Sequence, residues 1–218
     1  QQTAHNFACD GKVGVCGKKS DTANFQDELT GALIGLARAS KSGNPTHKTD
    51  VLILKGLFTT ITNVNFNDVT IKKMKTEVEQ EKGRVNAEKF EDYDMNMIWD
   101  AHEDIRSLKS LILFGIKGMA AYAYHAYALG KTDRTVTDFL YEALYTLGED
   151  KFPDDLLKLV LKTGEVNFKC MEMLDAANTE AYGQPVPTEV PLTVEKGPFI
   201  VVSGHDLHDM KLLLEQTQ

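Results

Sequence analysis

Two of the chain's three cysteines, Cys9 and Cys16, sit in the Gly-rich loop Cys9-Asp10-Gly11-Lys12-Val13-Gly14-Val15-Cys16-Gly17-Lys18. No hydrophobic period explains this loop. Thiolates brought together by tight turns are how proteins hold iron–sulfur clusters or zinc, and such sites take about four ligands. Three readings of Cys9 and Cys16 stand side by side: cluster ligands, zinc ligands, or neighbouring free thiols. The spacing alone favours none. With Gln1 in place of an initiator Met, the expectation is that the chain begins inside a ligand motif whose other members lie upstream.

A second candidate is His205. Gly197-Pro198 leads into the β-branched run Phe199-Ile200-Val201-Val202, Ser203-Gly204 turns, and Asp206 to Glu215 has helical periodicity through Leu207, Met210, Leu213 and Leu214. This reads as strand, turn and helix, the opening unit of a Rossmann-like α/β domain. Ligands of such domains bind at the carboxyl ends of strands. His205 is therefore a candidate metal ligand, and a surface histidine capping the turn is the plain alternative. Asp206 either orients the imidazole or caps the helix. His208, three residues on, offers a two-histidine pair with His205 or, more simply, a solvated helix residue.

Other chemistries fail on spacing. No histidine follows a Glu by three residues, which a di-iron bundle requires. His102-Glu103 lacks the second histidine of a zinc protease. Gly14 to Lys19 departs from a phosphate loop in its first Gly and at Lys19, which stands where a metal-binding hydroxyl belongs. His125, among Tyr122, Tyr124 and Tyr127, reads as a packed residue, and Cys170 as a small buried hydrophobe.

The elements that position these residues are mostly helical. Helices are predicted from Asp21 or Thr22 to Ser42, Asp50 to Thr62, Asp68 to Phe90, Glu103 to Leu129, Thr135 to Leu147 and Pro153 to Ala177. Glu91 to Trp99 reads as an acidic connector. Small residues at Gly115, Gly118, Ala120, Ala121 and Ala123 predict close helix approach. The expected fold is mainly α: two three-helix bundles, then the first strand and helix of an α/β domain. The expected organisation is a cysteine loop over 1–20, a helical domain over 21–180, a linker over 181–197 and the start of a truncated α/β domain over 198–218.

The formal net charge of −8 and the lack of a basic stripe exclude a nucleic-acid binder. Three cysteines are too few for a disulfide framework and fit a reducing compartment, so cytoplasm is the expected location. Leu111 to Leu129 is largely apolar but carries Lys117 near its middle. It reads as a buried bundle helix rather than a membrane span.

Several long segments resemble the hybrid cluster proteins, also called prismane proteins or hydroxylamine reductases. They are Cys9-x6-Cys16-Gly17-Lys18 with Thr22-Ala23-Asn24-Phe25-Gln26-Asp27, Gly56 to Asn65, Glu103 to Leu108, Gly115 to Tyr122, and Ser203-Gly204-His205-Asp206-Leu207. The likeness runs in the same order along nearly the whole chain.

The resemblance implies an iron–sulfur oxidoreductase that reduces hydroxylamine to ammonia, nitric oxide to nitrous oxide, or both. Cys9 and Cys16 match the third and fourth ligands of a proximal 4Fe–4S cubane, and a Cys is expected just before Gln1. His205 matches the histidine ligand of a hybrid iron–sulfur–oxygen cluster, whose remaining ligands are expected downstream of Gln218. On that expectation the chain by itself is inactive. The implied partners are small nitrogen-oxide substrates and an electron-donor protein, with no nucleic acid and no membrane; the oligomeric state is open. Two alternatives remain: a nickel–iron carbon monoxide dehydrogenase-like enzyme, and a cofactor-free helical interaction domain.

Overall fold

The computed structural model describes residues 13–204 and 206–217. Eight helices are found among them: α1 Ser20–Ser42, α2 His47–Thr59, α3 Asp68–Val85, α4 Asn96–Trp99, α5 Glu103–Ala128, α6 Arg134–Leu147, α7 Pro153–Tyr182 and α8 Leu207–Gln216. The chain divides after Gln184 into a helical unit and a second, smaller unit.

Local chemistry sets most helix ends. At α2, Thr46 and Thr49 cap reciprocally, with the Thr46 N–H donating to Thr49 Oγ1 at 2.8 Å. This starts the helix three residues before the predicted Asp50. At α3, Asn67 rather than Asp68 is the cap, and its Oδ1 accepts from Val69 N and Thr70 N at 3.0 and 3.2 Å. The same helix stops at Val85, short of the predicted Phe90, because Asn86 turns extended and its side chain donates to Ala39 O and Ser42 Oγ. Pro153 opens α7, with Asp154 and Asp155 in the first turn as the helix dipole favours.

In the helical unit α1, α2 and α3 pack on one another, as do α5, α6 and α7, and α1 against α6 and α2 against α5 join the two sets. The result is one continuous core through Leu33, Leu36, Ile53, Leu57, Ile71, Ile112, Ile116, Leu144 and Leu156. The small residues of α5 act as predicted at Gly115, where an added Cβ would lie 2.7 Å from Thr163 Cγ2 of α7. They do not at Gly118, which faces open space.

The segment from Asn86 to Ala101 is more ordered than a plain connector. It carries α4, whose Ile98 and Trp99 are buried, and it lies across α1 at Gly31 and Gly35. Tyr93 N donates to Gly31 O at 3.1 Å. A Cβ on Gly35 would come within 2.9 Å of Glu91 O.

A buried carboxylate ties α3 to α2. Glu81 is 1 % exposed; its Oε1 accepts from Thr49 Oγ1 at 2.7 Å and Arg84 Nη2 at 2.6 Å, and Oε2 faces Lys48 Nζ at 3.3 Å. The Arg84 hydrogen bond, helped by Thr49 and Lys48 and opposed by burial, pulls its pKa from 4.5 to about 2. A carboxyl depressed in the fold adds stability above pH 4.5 that is lost as pH falls through about 2. Glu81→Gln is expected to cost about 2–3 kcal/mol near neutral pH, the scale of charged hydrogen bonds. The gap from wild type should narrow toward pH 2 in denaturant titrations; a pH-independent gap would contradict this account.

The second unit departs from expectation. Residues 185–204 contain no strand, and Phe199, Ile200 and Val201 are 68 %, 75 % and 78 % exposed. The predicted strand and the Rossmann-like start are therefore not found among the described residues. A β-branched run forms a strand only when neighbouring strands take up its backbone hydrogen bonds, and none does so here. The predicted helix is present as α8, capped by Asp206, which accepts from His208 N at 2.9 Å and Asp209 N at 3.2 Å.

Candidate metal centre

Cys16 stands at the tip of a short turn at the foot of α1. Val13 and Lys19 form an antiparallel bridge, Gly14 N donates to Lys18 O at 2.8 Å, and Gly17 N donates to Gly14 O at 2.8 Å. Gly17 has φ +86°, a conformation that side-chain-bearing residues rarely adopt, so a glycine after Cys16 is what closes the turn. The Cys16 thiol is free and exposed. Cys9 and His205 lie outside the described residues. Among the described residues no group of three or more His, Cys, Asp or Glu side chains converges in a way that could hold a metal.

Beneath the turn lies a buried polar knot. The Lys18 side chain points inward, and Nζ donates to Gln26 Oε1 at 2.6 Å. Gln26 Nε2 in turn donates to Thr59 O at 3.2 Å and Asn65 O at 3.1 Å. From α5, Lys117 Nζ donates to Thr60 O at 3.4 Å. Lys117 thus sits at the C-terminal end of α2, where the helix dipole is negative, and Lys18 reaches the same end through Gln26. Asp27 Oδ2 accepts from Trp99 Nε1 at 3.1 Å, and its carboxylate is the anion that both lysines feel. Burial pulls both lysines below their usual range, Lys117 to about 8; Cys16 and then Asp27 push Lys18 back up, and Asp27 does so for Lys117.

Of the ligand candidates Cys9, Cys16 and His205, Cys16 alone lies among the described residues, and its donor type is that of an iron–sulfur cluster. A thiol is presented at a surface turn, and buried positive charge lies beneath it, where a cluster of thiolates and sulfides would bring negative charge. Cys170 makes the contrast. It is buried on α7, its thiol lies 3.5 Å from Met119 O, and burial pushes its pKa up to about 12. It is the inert hydrophobe that its neighbours predict. His125 packs against the Phe58 and Tyr124 rings, at 5.7 and 6.1 Å between centroids.

Sequence reasoning missed the knot. It singled out Lys117 only as a charge inside an apolar run, and read Gln26 and Lys18 as part of a motif. The available signal was periodic: Gln26 occupies the same face of α1 as Thr30 and Leu33, all buried, so a polar side chain stands where the helix pattern asks for an apolar one.

The chain matches the model of the Prismane/CO dehydrogenase family over residues 2–218. It is 42% identical to a hydroxylamine reductase of Solidesulfovibrio magneticus, 40% to one of Methanocella arvoryzae and 39% to one of Methanococcus vannielii. In each case all of this chain is covered. It spans about half the length of these curated relatives, 46%, 46% and 45% respectively. The family model covers nearly the whole chain, and the three relatives match all of it at about 40% identity: the chain belongs to the Prismane/CO dehydrogenase family.

Proposed function

We propose that this chain is part of an iron–sulfur oxidoreductase that reduces hydroxylamine to ammonia, nitric oxide to nitrous oxide, or both. The observation that carries the reading is the exposed Cys16 thiol on its glycine-closed turn, in a chain whose relatives at about 40% identity are hydroxylamine reductases. Cys9 and Cys16 would hold a 4Fe–4S cubane, and His205 would ligate a hybrid iron–sulfur–oxygen cluster whose other ligands come from beyond these residues. When bound, these groups supply electron relay and an open iron that polarises the N–O bond. The overall balance for hydroxylamine is two electrons and two protons, giving ammonia and water.

The chain's own residues do the positioning. The turn closed by Gly17 aims the Cys16 sulfur outward. Lys18 and Gln26 anchor the base of that turn on the last carbonyls of α2, so the thiol is held by a rigid helical core. The partners of the reading are a small nitrogen-oxide substrate and an electron-donor protein. No helix among the described residues is long and apolar enough to cross a membrane, and the apolar run predicted as a bundle helix is α5, packed against α2, α6 and α7.

The test uses the intact protein and its His205→Ala variant. Hydroxylamine-dependent oxidation of a reduced viologen dye should fall by at least about tenfold, the usual scale for loss of a metal ligand or its support, while the cubane's EPR signal remains. Full activity with unchanged iron content would overturn the role of His205. Nickel in the purified protein would favour the carbon monoxide dehydrogenase branch of the family.

A further inference from the structure

Among the described residues two buried lysines, Lys109 and Lys117, cap helix ends, and they are not equivalent. Lys109 Nζ donates to Leu147 O and Glu149 O, both at 2.9 Å, beside the Glu149 and Asp150 carboxylates. Burial lowers its pKa, and two carbonyls with two nearby carboxylates oppose that. Lys117 is 7 % exposed in the middle of α5, and among the described residues its ammonium makes one hydrogen bond, to Thr60 O at 3.4 Å. An ammonium has three donors, so this one is thinly solvated by the protein. Burial lowers its pKa, and Lys18, the next ammonium along, lowers it further. The charged form is thus disfavoured by its surroundings apart from Asp27, which the two lysines share. A methionine or leucine here would pack without that cost.

A chain of polar contacts runs from Lys117 to the cysteine turn. Thr60 O holds Lys117, the adjoining Thr59 O holds Gln26, Gln26 holds Lys18, and Lys18 lies two residues from Cys16. Lys18 feels Cys16 and Asp27, and Lys117 feels Asp27 and Lys18, so the second ammonium adds its charge behind the first.

We propose that Lys117 is the buried counter-charge of the cluster held by the Cys16 turn, favouring the reduced form and so raising the cluster's reduction potential. The inference rests on the reading of Cys16 as a cluster ligand. Reduction takes one electron from a one-electron donor, with no bond made or broken, and adds one negative charge at the turn. A fixed positive charge in a poorly screened interior stabilises that added charge. Lys117 acts through the field alone and is a positioning charge rather than a catalytic residue.

The test is an EPR-monitored redox titration of the intact protein with dithionite, comparing wild type, Lys117→Met and Lys117→Arg. At the wild-type midpoint, Lys117→Met should lower the cubane's reduced-to-oxidised ratio about tenfold, equivalent to about 59 mV for one electron, while Lys117→Arg stays near wild type. Should Lys117→Met fail to fold, Lys117→Gln, which keeps a donor for Thr60 O, is expected to show the same fall. An unchanged ratio in the neutral variants, with iron content and cubane signal retained, overturns the proposal. So does loss of the cubane in Lys117→Arg and the neutral variants alike, since that marks a role in building the turn. A wild-type protein without a cubane signal would overturn the ligand reading of Cys16 first, and this inference with it.

Discussion

Replacing Cys16 by Ser in the intact protein is expected to abolish the cubane, removing its iron and its EPR signal while leaving the helical fold in place. Serine keeps the size and polarity of the side chain but offers a hydroxyl in place of a thiolate, and soft iron–sulfur sites select thiolates. The turn does not need the sulfur: its closure comes from Gly14 N to Lys18 O, Gly17 N to Gly14 O and the positive φ of Gly17. The thiol is exposed and contributes nothing to the core. Far-ultraviolet circular dichroism and the thermal midpoint should therefore match wild type for the apoprotein, whereas iron should fall by the cubane's full complement. The control is Cys170→Ser, which should do the opposite. It keeps the iron but loses stability by about 1–3 kcal/mol, because it places a hydroxyl where a buried thiol with raised pKa packs. A Cys16→Ser protein that retains the cubane signal would remove this residue from the ligand set.

The second large effect is structural. Gly31→Ala is expected to destabilise the helical unit by about 3 kcal/mol, the upper range for overpacking a well-filled core. A Cβ at Gly31 would overlap the Tyr93 carbonyl oxygen, and backbone cannot rotate away as a side-chain tip can. The same Tyr93 donates its N–H to Gly31 O, so the clash and the hydrogen bond compete for one contact. Moving the 91–93 segment also disturbs Trp99, whose indole N–H reaches Asp27 beneath the cysteine turn. The variant should thus weaken both stability and cluster retention. Gly118→Ala and Gly83→Ala make the internal standard: a Cβ at either meets nothing within 4 Å, and both glycines lie in helices, where alanine gains about 0.5–1 kcal/mol. Chemical denaturation of the three variants side by side decides the point. Equal midpoints would mean that α1 and the crossing segment are not packed as described.

The helices were legible because their signals are local. Pro153 with two aspartates opens α7 as predicted, and α1, α5 and α6 begin and end within two residues of their predicted bounds. Ends set by a side chain from another element were not: α3 stops where Asn86 finds Ala39 and Ser42 on α1. The Gly31–Gly35 groove was invisible for the same reason. A glycine pair in a helix reads as lost propensity until the segment lying across it is known. The run Phe199 to Val202 shows the opposite error, since β-branched composition marks a segment able to join a sheet but supplies no neighbouring strand.

The candidate site divides in the same way. Cys16, its glycines and its distance from α1 are sequence-adjacent, so the loop could be read directly. The charge beneath it could not, because Lys18, Gln26 and Lys117 meet only through packing of α1, α2 and α5. The buried lysine inside the apolar run of α5 was a visible anomaly, and its physical reading as a partner for negative charge required the fold.

The most direct test of the central claim is the iron and acid-labile sulfide content of the intact protein, purified without oxygen, with EPR spectra before and after dithionite reduction. This account predicts iron and sulfide in excess of one cubane, with a cubane signal appearing on reduction and a second, distinct iron signal. A colourless protein without iron or sulfide, still folded as the helical unit described here, would contradict it and leave a cofactor-free helical domain.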